Sequence, residues 1–438
     1  MSAAHLCAGK AHVAVVGGGY AGMAAATTLA RDGVRVTVYE AARQLGGRAR
    51  RVDYQGIALD NGLHILIGAY VETLRLIELV NPRHADAVLR MPLSWNVHDQ
   101  MRLRAARLPK PFHLLWGLAC ATGLSASQKF AAARFLAVLK TGGYTLERDV
   151  SVDTLLARHG QDEKLRRALW RPLCVAALNT PPAIASAQVF LNVLRDSLDA
   201  SRAASDLVLA RVDLSALFPD AAAAYVEERG GTVLRAGRVT AIDPQSDGFE
   251  IEASGGRARY THVVCAIAPH QVNAFLIGIT ALSDIAATIE RLQYQPIHSV
   301  WLQYPVTVNL PSPMLGLTSG LIHWVFDRDA LSGQRGLVGA VISAAGNHQQ
   351  ITQEELGLSV HRELRQLISG LPEPVWTRVI AEKRATIACT PNLKRPPQVT
   401  PLRGFYLAGD YTASEYPATI ESAVRSGIAC AQHIFRLP

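Results

Sequence analysis

The chain has 438 residues, of which 49% are hydrophobic and 18% charged, and its 44 Lys and Arg against 36 Asp and Glu give a net charge of +8. This composition excludes disordered and fibrous proteins, and the length predicts two domains with a large core. Six cysteines occur singly, without a Cys-x-x-Cys pair, which indicates neither a zinc site nor a disulfide framework and is typical of a reducing cytosol. The segment Met1–His12 has no apolar signal core, and no motif supports nucleic-acid binding.

The first predicted elements are a strand, a glycine turn and a helix. The apolar run Val13–Val16 is typical of a buried parallel strand. In the turn that follows, Gly17 permits a sharp bend, Gly19 lets a pyrophosphate approach the backbone, and Gly22 lets the helix pack on the sheet. The N-terminus of the helix, with its free N–H groups and positive dipole end, then faces the phosphates. The pattern predicts a βαβ unit that binds a dinucleotide.

An acidic residue closes this unit. The strand Arg35–Tyr39 ends at Glu40, which follows Gly22 by 18 residues. A carboxylate at this place accepts hydrogen bonds from ribose hydroxyls and repels a 2′-phosphate. Because strand, turn, helix and acid are all in register, a βαβ unit without a ligand is the poorer interpretation.

A mostly helical region is predicted from Glu72 to about Leu198. It contains long segments rich in Ala, Leu and Arg, such as Ser125–Leu139 and Asp162–Leu178. The second of these is stopped by Pro181 and Pro182.

Part of this region has the composition of a surface that contacts a membrane. Four basic residues precede the uncharged run Phe112–Gln128: Arg102, Arg104, Arg107 and Lys110. A basic segment beside an apolar, aromatic one is typical of docking to anionic headgroups. The run is too short and too polar for a membrane span. A buried helix and a patch on a membrane surface both stay open, and we expect a cytoplasmic protein that is peripheral on the inner membrane.

Short strands follow a helix predicted over Ala221–Arg229. Gly, Asp and Pro turns separate four of them: Thr232–Leu234, Val239–Ile242, Phe249–Ala253 and Tyr260–Ala266.

Residues 292–326 contain no Asp, Glu, Lys or Arg. Val300–Tyr304 and Leu321–Phe326 are predicted strands within this stretch, which forms either an interior sheet or the lining of an apolar cavity. A helix over Gln353–Leu367, a last buried strand and a turn with an acid over Gly404–Asp410, and a last helix that starts near Thr419 complete the predicted elements.

Two short motifs carry a resemblance to a known superfamily. Leu45-Gly46-Gly47-Arg48, just after Glu40, and Leu407-Ala408-Gly409-Asp410 near the C-terminus resemble signatures of the amine-oxidase/phytoene-desaturase flavoproteins. The resemblance implies FAD rather than NAD. It also implies an α/β fold, with a Rossmann-like FAD-binding domain on a parallel sheet that is discontinuous in sequence and a second, α+β substrate domain. The implied FAD-binding domain takes residues 1–80, 205–270 and 385–438, and the substrate-binding, membrane-facing domain takes 81–204 and 271–384.

The glycine motif and this resemblance together give a set of expected cofactor contacts. Asp410 is expected at the ribityl or pyrophosphate region, the helix after Thr419 at the flavin ring, Val239 at the adenine through its backbone, and Arg48 at a phosphate or the flavin. The expected FAD-binding residues are Gly17, Gly19, Tyr20, Ala21, Gly22, Glu40, Ala41, Gly47, Arg48, Val239, Gly409, Asp410, Thr419 and Ile420.

Four further segments are similar to one family within that superfamily, the squalene-associated FAD-dependent desaturases, also named hydroxysqualene dehydroxylases. They are Leu59–His64, Trp170–Leu173 with Ala176–Pro181, Ala204–Leu207 with Val212–Ser215, and Tyr416–Ala423. The chain departs from the family pattern at Leu63 and Tyr411, where Gln and Trp are expected. The resemblance implies removal of the hydroxyl group of hydroxysqualene, which gives squalene for hopanoid or related triterpene synthesis.

Such a reaction needs a proton donor near the leaving oxygen. His64 is the first candidate because His can donate near neutral pH, although a structural His bonded to backbone is an open alternative. Glu421 is the second candidate, and Asp60 is expected to hold the loop or contact the cofactor.

The sequence leaves three alternative functions open. A carotenoid or phytoene-type desaturase is the nearest. A flavin amine oxidase is less favoured because Gln295–Val300 contains no Lys and Thr419 stands where an aromatic-cage Tyr would be expected. A non-catalytic FAD-binding pathway partner is the third. No second dinucleotide motif is found, so the electron donor stays open.

Overall fold

The computed structural model describes residues 11–436, so Cys7 and nearly all of the segment Met1–His12 lie outside the described residues. Within them the chain forms strands that are numbered in chain order: β1 (His12–Val16), β2 (Arg35–Tyr39), β3 (Arg51–Tyr54), β4 (Ile57–Asp60), β5 (Ile65–Ile67), β6 (Val88–Met91), β7 (Ser94–Val97), β8 (Met101–Arg104), β9 (Leu207–Ala210), β10 (Thr232–Leu234), β11 (Val239–Gln245), β12 (Gly248–Ala253), β13 (Gly256–Tyr260), β14 (His262–Cys265), β15 (Tyr294–Gln303), β16 (Met314–Gly316), β17 (Trp324–Asp327), β18 (Leu337–Ser343), β19 (Trp376–Ile387) and β20 (Phe405–Leu407).

The α-helices are numbered in the same way: α1 (Tyr20–Arg31), α2 (Val71–Val80), α3 (His84–Ala87), α4 (Phe112–Ala119), α5 (Ala126–Thr141), α6 (Val152–Arg158), α7 (Glu163–Leu165), α8 (Arg171–Leu178), α9 (Ala187–Leu194), α10 (Leu214–Leu217), α11 (Pro219–Glu228), α12 (Pro269–Leu276), α13 (Ser283–Glu290), α14 (Arg328–Ser332), α15 (Gln353–Leu367) and α16 (Ile420–Arg436). Two π-helical segments, Arg166–Trp170 and Arg195–Asp199, and three 3₁₀ turns, Ala203–Ser205, Thr280–Leu282 and Asn347–Gln350, complete the helical structure.

A five-stranded parallel sheet contains the strands of the glycine motif, and we name this part of the molecule the cofactor side. Its strand order is β10-β2-β1-β14-β20, the order of a dinucleotide-binding half, and every neighbouring pair is parallel. Strands buried on both faces need continuous apolar runs, which explains the sequence Val13–Val16. Because these strands come from distant parts of the chain, the expected Rossmann-like, sequence-discontinuous α/β fold is confirmed.

Helices α1 and α16 pack together over this sheet, so the two ends of the chain meet at the cofactor side. Their contact is close at Gly427, where an added Cβ would lie 2.1 Å from the carbonyl oxygen of Ala21. Only glycine allows the two helix backbones to approach this far. The C-terminal helix therefore fixes the N-terminal helix that follows the glycine turn.

A seven-stranded sheet with the order β19-β15-β18-β17-β16-β7-β8 forms the second large layer. Its pairs are antiparallel except for β16 with β7. One face packs on α15 through side chains such as Val300, Leu302 and Val360. The charge-free stretch thus lies in an interior sheet, because β15 is paired on both edges. The division into two domains at the expected boundaries stays a prediction.

Three small sheets and a helical layer connect these parts. The small sheets are the β3–β4 hairpin, the three strands β5-β9-β6 and the antiparallel β11-β12-β13. Helices α5, α6, α8 and α9 share one apolar cluster around Phe135 and Trp170.

Several sequence-based boundaries are corrected. The strand expected over Tyr260–Ala266 is two strands of different sheets, because the chain turns at Thr261, whose N–H and hydroxyl both donate to the His12 carbonyl. The helix expected over Asp162–Leu178 is interrupted by the π-helical segment. The mostly helical region contains β6, β7 and β8, which are only four residues long, and β6 and β8 carry arginines, so the three give a weak strand signal.

Candidate cofactor and active site

The glycine turn between β1 and α1 has two positions where the protein itself requires glycine. Gly17 has φ +112°, and a Cβ there would lie 2.6 Å from the Ala266 carbonyl oxygen. A Cβ on Gly22 would lie 1.9 Å from the Gly17 carbonyl oxygen. Both clashes are with backbone atoms that cannot move aside, so these glycines fix the turn and the docking of α1.

Gly19 is different, because the protein does not require it to be glycine. Its φ is −78° and its ψ −178°, which any residue adopts. The nearest atom to an added Cβ is Gly47 Cα at 3.8 Å, an ordinary contact distance. The absence of a side chain here is explained by a ligand that approaches the backbone, as a pyrophosphate does in this motif. This observation is the first test that FAD fits the residues present.

The side chain of Tyr20 points away from the turn. Its hydroxyl donates to the Leu214 carbonyl at 2.9 Å, and its ring packs on Phe218. Tyr20 and Ala21 therefore serve the expected cofactor site through their backbone N–H groups, which the first turn of a helix leaves unpaired within the helix.

Glu40 lies at the end of β2, beside the glycine turn. Its carboxylate accepts the N–H of Gly18 at 2.7 Å and the N–H of Ala42 at 2.8 Å, while its carbonyl accepts the N–H of Gly237 at 2.8 Å. These bonds bring Glu40, Ala41 and the chain leading to Val239 together at one edge of the parallel sheet. This is the arrangement that the sequence predicts for the adenosine part of the cofactor.

Arg48 joins the two sequence motifs that are 362 residues apart. Its Nη2 donates to Oδ1 of Asp410, and its Nη1 donates to the Ala385 carbonyl at 2.6 Å. The loop before it packs against the glycine turn, since Gly46 N–H donates to the Gly18 carbonyl at 2.9 Å. Asp410 is buried, so the guanidinium is held firmly at the junction of turn, loop and C-terminal motif.

Buried polar groups without partners lie near the C-terminal motif. Among the described residues, neither the hydroxyl of Tyr411 nor that of Ser422 has a hydrogen-bond partner. Burial raises the pKa of Tyr411 well above its usual value, so its phenol stays protonated and needs an acceptor. Ser422 lies in the first turn of α16, after Thr419, whose Oγ1 accepts its N–H at 3.3 Å. A bound cofactor with many acceptor atoms would satisfy such buried hydroxyls, one beside the C-terminal motif and one at the start of α16. FAD therefore fits these residues.

His64 lies on the loop between β4 and β5, next to this junction. The Nδ1 of its ring lies 2.8 Å from the Gly62 carbonyl, so Nδ1–H donates there and Nε2 is the free nitrogen. Asn61 ties the loop to Arg48, because its Nδ2 donates to the Arg48 carbonyl at 3.1 Å. Burial and the nearby Arg48 charge lower the pKa of His64. The neutral imidazole is therefore its main form at neutral pH.

Asp60 holds this loop, as one of the two sequence-based expectations states. Its carboxylate is buried and accepts the Leu214 N–H at 2.8 Å. Burial raises the pKa of Asp60 to about 7. Its contacts place it behind the glycine turn, beside Tyr20.

Glu421 has a structural environment. Its fully buried carboxylate accepts hydrogen bonds from the N–H groups of Glu72 and Thr73 at the start of α2, from the Thr73 hydroxyl, and from Arg425 at 2.7 Å. All of its acceptor capacity is thus used within the protein. Glu421 therefore anchors α16 to α2, which disfavours it as a proton donor; its role as the second candidate stays a prediction.

Sequence reasoning missed several contacts of this site. Asn179 has φ +45° and links the helical layer to the large sheet: its Nδ2 donates to Thr386 Oγ1 at 3.0 Å, and its Oδ1 accepts the Ala344 N–H at 2.8 Å. The Ser426 hydroxyl accepts the Gly409 N–H at 2.7 Å. Ala385 contributes only its carbonyl, which no sequence pattern marks.

The glycine turn, the Arg48–Asp410 pair and the orphaned hydroxyls of Tyr411 and Ser422 together define the class of FAD-binding flavoproteins. Comparison with known proteins agrees: residues 20–435 match the family model described as flavin containing amine oxidoreductase. The hydroxysqualene dehydroxylase of Rhodopseudomonas palustris is 30% identical over 433 residues, which is 95% of this chain and 96% of that protein. The zeta-carotene desaturase of Synechocystis is 24% identical over 96% of each chain. The chain belongs to the flavin-containing amine oxidoreductase family and, within it, to the hydroxysqualene dehydroxylases.

Solved structures support the same fold. Cyclohexylamine oxidase from Brevibacterium oxydans matches with a TM-score of 0.69 at 18% identity, over 97% of this chain and 98% of that one. At this identity the likeness concerns the fold alone. FAD is the cofactor that the family and the residues of the site support.

Proposed function

We propose that this chain, with FAD bound, removes the hydroxyl group of hydroxysqualene and thereby forms squalene. The observation that carries the proposal is the position of the His64 loop. On one side the loop is tied to Arg48, which belongs to the cofactor junction. On the other side it packs on an apolar face of the seven-stranded sheet, since Leu63 Cδ1 would lie 2.5 Å from a Cβ on Gly339.

This sheet face supports a hydrocarbon substrate. The register places Trp301 opposite Gly339 and Ser299 opposite Val341, with Trp324 next to Val341, so all of them share one face. The side chains of Ser299, Trp301, Trp324 and Val341 are uncharged; beside them, Arg378 lies opposite Trp301 on β19, and the Arg328 guanidinium lies 6.0 Å from the centre of the Trp301 ring. A dry apolar wall protects an allylic cation from capture by water, which a dehydroxylation of this kind requires.

Two polar atoms on this face have no hydrogen-bond partner in the described part of the chain. The hydroxyl of Ser299 and the Nε1 of Trp301 are buried and have no hydrogen-bond partner among the described residues. Buried polar groups of this kind are normally satisfied, so each is a candidate to hold the hydroxyl of a substrate against the apolar wall.

The reaction consists of a proton transfer, loss of water and a hydride transfer. When bound and reduced, FAD supplies the hydride. The C–O bond breaks as the substrate hydroxyl takes a proton and leaves as water, and the hydride then forms the new C–H bond. His64 is the proposed proton donor, because its Nε2 is free while its Nδ1–H is fixed by Gly62. Its lowered pKa means that only a minor fraction carries the extra proton at neutral pH.

The test is an anaerobic single turnover. The FAD of the purified holoenzyme is reduced, hydroxysqualene is added, and flavin reoxidation by absorbance and squalene by mass spectrometry are followed together. Squalene in stoichiometric amount with the reoxidised flavin supports the proposal. A reduced flavin that stays reduced, without squalene, overturns it.

The oxidised enzyme tests the other functions. A coloured, more conjugated product from phytoene would replace the proposal by a carotenoid-type desaturase, and turnover of putrescine or primary amines would replace it by an amine oxidase. A holoenzyme that turns over none of these compounds would favour a non-catalytic FAD-binding partner.

A further inference from the structure

One surface of the helical layer is apolar and exposed. The side chains of Phe112, Leu115 and Trp116 are 61%, 47% and 60% exposed. They lie on α4 at the spacing of one helix face, while His113, Gly117 and Leu118 on the opposite face are buried. Together with the preceding turn they line a groove of about 370 Å³, and we name its residues the α4 face: Leu108, Pro109, Phe112, Leu115, Trp116 and Ala119. An exposed apolar cluster of this kind marks a contact surface.

The chain segment that contains the α4 face carries positive charge only. Residues 100–146 contain seven Lys and Arg and no Asp or Glu. Arg102, Arg104, Arg107 and Arg134 are exposed, and none of the four has an ion-pair partner within the part of the chain that the structure describes. The surface is therefore cationic as well as apolar.

A polar cleft adjoins the α4 face. It has a volume of about 480 Å³ and is lined by three arginines and one carboxylate, together with Met91 and Pro92: Arg90, Arg107, Arg202 and Asp206. The carboxylate is already engaged, since Arg90 Nε lies 3.0 Å and Arg202 Nη1 3.7 Å from its oxygens. Arg107 lines the cleft and its neighbour Leu108 lines the groove, so a positively charged cleft and an apolar groove share one edge.

We propose that the α4 face docks on the surface of a bilayer that contains anionic phospholipid, with a headgroup phosphate in the arginine cleft and acyl chains against Phe112, Leu115 and Trp116. The chemistry of the surface matches both parts of such a lipid. A second copy of the chain fits less well, because a symmetric contact would bring the same unpaired arginines face to face. Within residues 11–436 no helix has the length and hydropathy needed to cross a membrane. The proposal stands on this surface and does not depend on which isoprenoid the active site accepts.

The experiment uses the full-length holoenzyme and two kinds of vesicles: phosphatidylcholine alone, and phosphatidylcholine with added phosphatidylglycerol. We expect sedimentation with the anionic vesicles only, and less of it as the ionic strength rises. Trp116 reports the contact, because it is the one exposed tryptophan of the six and the other five are buried or partly buried. Its emission should shift to shorter wavelength and be quenched by phospholipid with brominated acyl chains.

Matched variants separate the two parts of the surface. Each neutralised arginine in Arg104→Gln and Arg107→Gln should weaken binding to anionic vesicles about fivefold. Arg403→Gln is the control, because Arg403 is an exposed arginine far along the chain from this surface. Leu115→Ser should weaken binding similarly, while Ile277→Ser, at a more exposed apolar residue elsewhere, should not. Trp116→Phe should keep the binding and abolish most of the spectral shift.

Three results would overturn the proposal: equal binding to both kinds of vesicles, no loss of binding in Arg104→Gln, Arg107→Gln and Leu115→Ser relative to their controls, or a change of oligomeric state in those variants without vesicle binding. The last result would assign the surface to a second copy. Turnover of detergent-solubilised hydroxysqualene is measured in parallel and should be unchanged in the surface variants, so failure of the docking proposal and failure of the proposed function give different results.

Discussion

The cofactor side and the substrate side of this molecule are held together in different ways. On the cofactor side, backbone atoms set the geometry: Gly17 and Gly22 are required because a Cβ would meet a carbonyl oxygen. On the substrate side, side chains far apart in sequence set it, as Asn179 does with Thr386 and Leu63 with Gly339. The difference suggests that cofactor binding tolerates few substitutions in a short motif, whereas the substrate face can change one side chain at a time.

Gly22→Val should give the largest effect, because it places a branched side chain where even a Cβ would lie 1.9 Å from the Gly17 carbonyl oxygen. Helix α1 must then move off the sheet, at a cost of about 3 kcal/mol or more in the free energy of unfolding. We expect protein without FAD, measured as the ratio of flavin to protein absorbance, and a lower melting temperature.

Gly255→Ala is the control for this substitution. An added Cβ at Gly255 meets no atom within 4 Å, and the backbone there is not left-handed. Its flavin content and melting temperature should equal those of the unchanged protein. Normal flavin content in Gly22→Val would contradict the assignment of the glycine turn.

His64→Gln tests the point where the two sides meet. We expect a single-turnover rate about a hundredfold lower, with flavin content unchanged, because a general acid contributes on this order. Since the pKa of His64 lies below its usual 6.5, the protonated fraction grows as the pH falls, and the rate of the unchanged enzyme should rise from about pH 8 to about pH 6. The variant should lose this slope, because Gln does not titrate. An equal slope in both proteins would exclude His64 as the proton donor.

The same contrast explains which parts of the fold and of the site could be predicted from the sequence. The βαβ unit, the parallel sheet and most of the cofactor contacts follow from short motifs, since Gly17, Glu40 and Arg48 each act within a few residues of a strand end. The role of Glu421 could not be predicted, because its partners Glu72 and Thr73 lie about 350 residues away and only the fold brings them to α16. The strands β6 to β8 were missed for a similar reason: four-residue strands are stabilised by their neighbours in the sheet rather than by their own pattern.

Glu421→Gln should act on stability rather than on the reaction. The substitution removes a buried charge that faces Arg425 and two N–H groups of α2, so the free energy of unfolding should fall by about 3 kcal/mol. Denaturant titration measures this, and the turnover rate per bound FAD should stay close to that of the unchanged enzyme. Glu415→Gln is the control: its ion pair with Arg195 is exposed, and its removal should change stability by less than about 1 kcal/mol. A large loss of rate at unchanged stability would return Glu421 to the role of a proton donor.

Gly19→Ala should give the smallest effect and the most direct test of the cofactor site, because the protein alone gives no reason for this glycine. The backbone at Gly19 suits Ala, and the new methyl group would keep 3.8 Å from Gly47. Apoprotein stability should change by no more than about 0.5 kcal/mol, since Ala restricts the unfolded chain but is a poorer N-cap residue than Gly. FAD affinity should fall about tenfold, because the methyl group occupies the space in which a pyrophosphate approaches the backbone.

Gly47→Ala is the comparison, and it should lower stability: the φ of +61° at Gly47 disfavours Ala, so the apoprotein itself should lose about 1 kcal/mol. Flavin titration of the two apoproteins, with thermal melts beside it, separates these outcomes. Unchanged FAD affinity in Gly19→Ala would show that the phosphates pass the turn elsewhere.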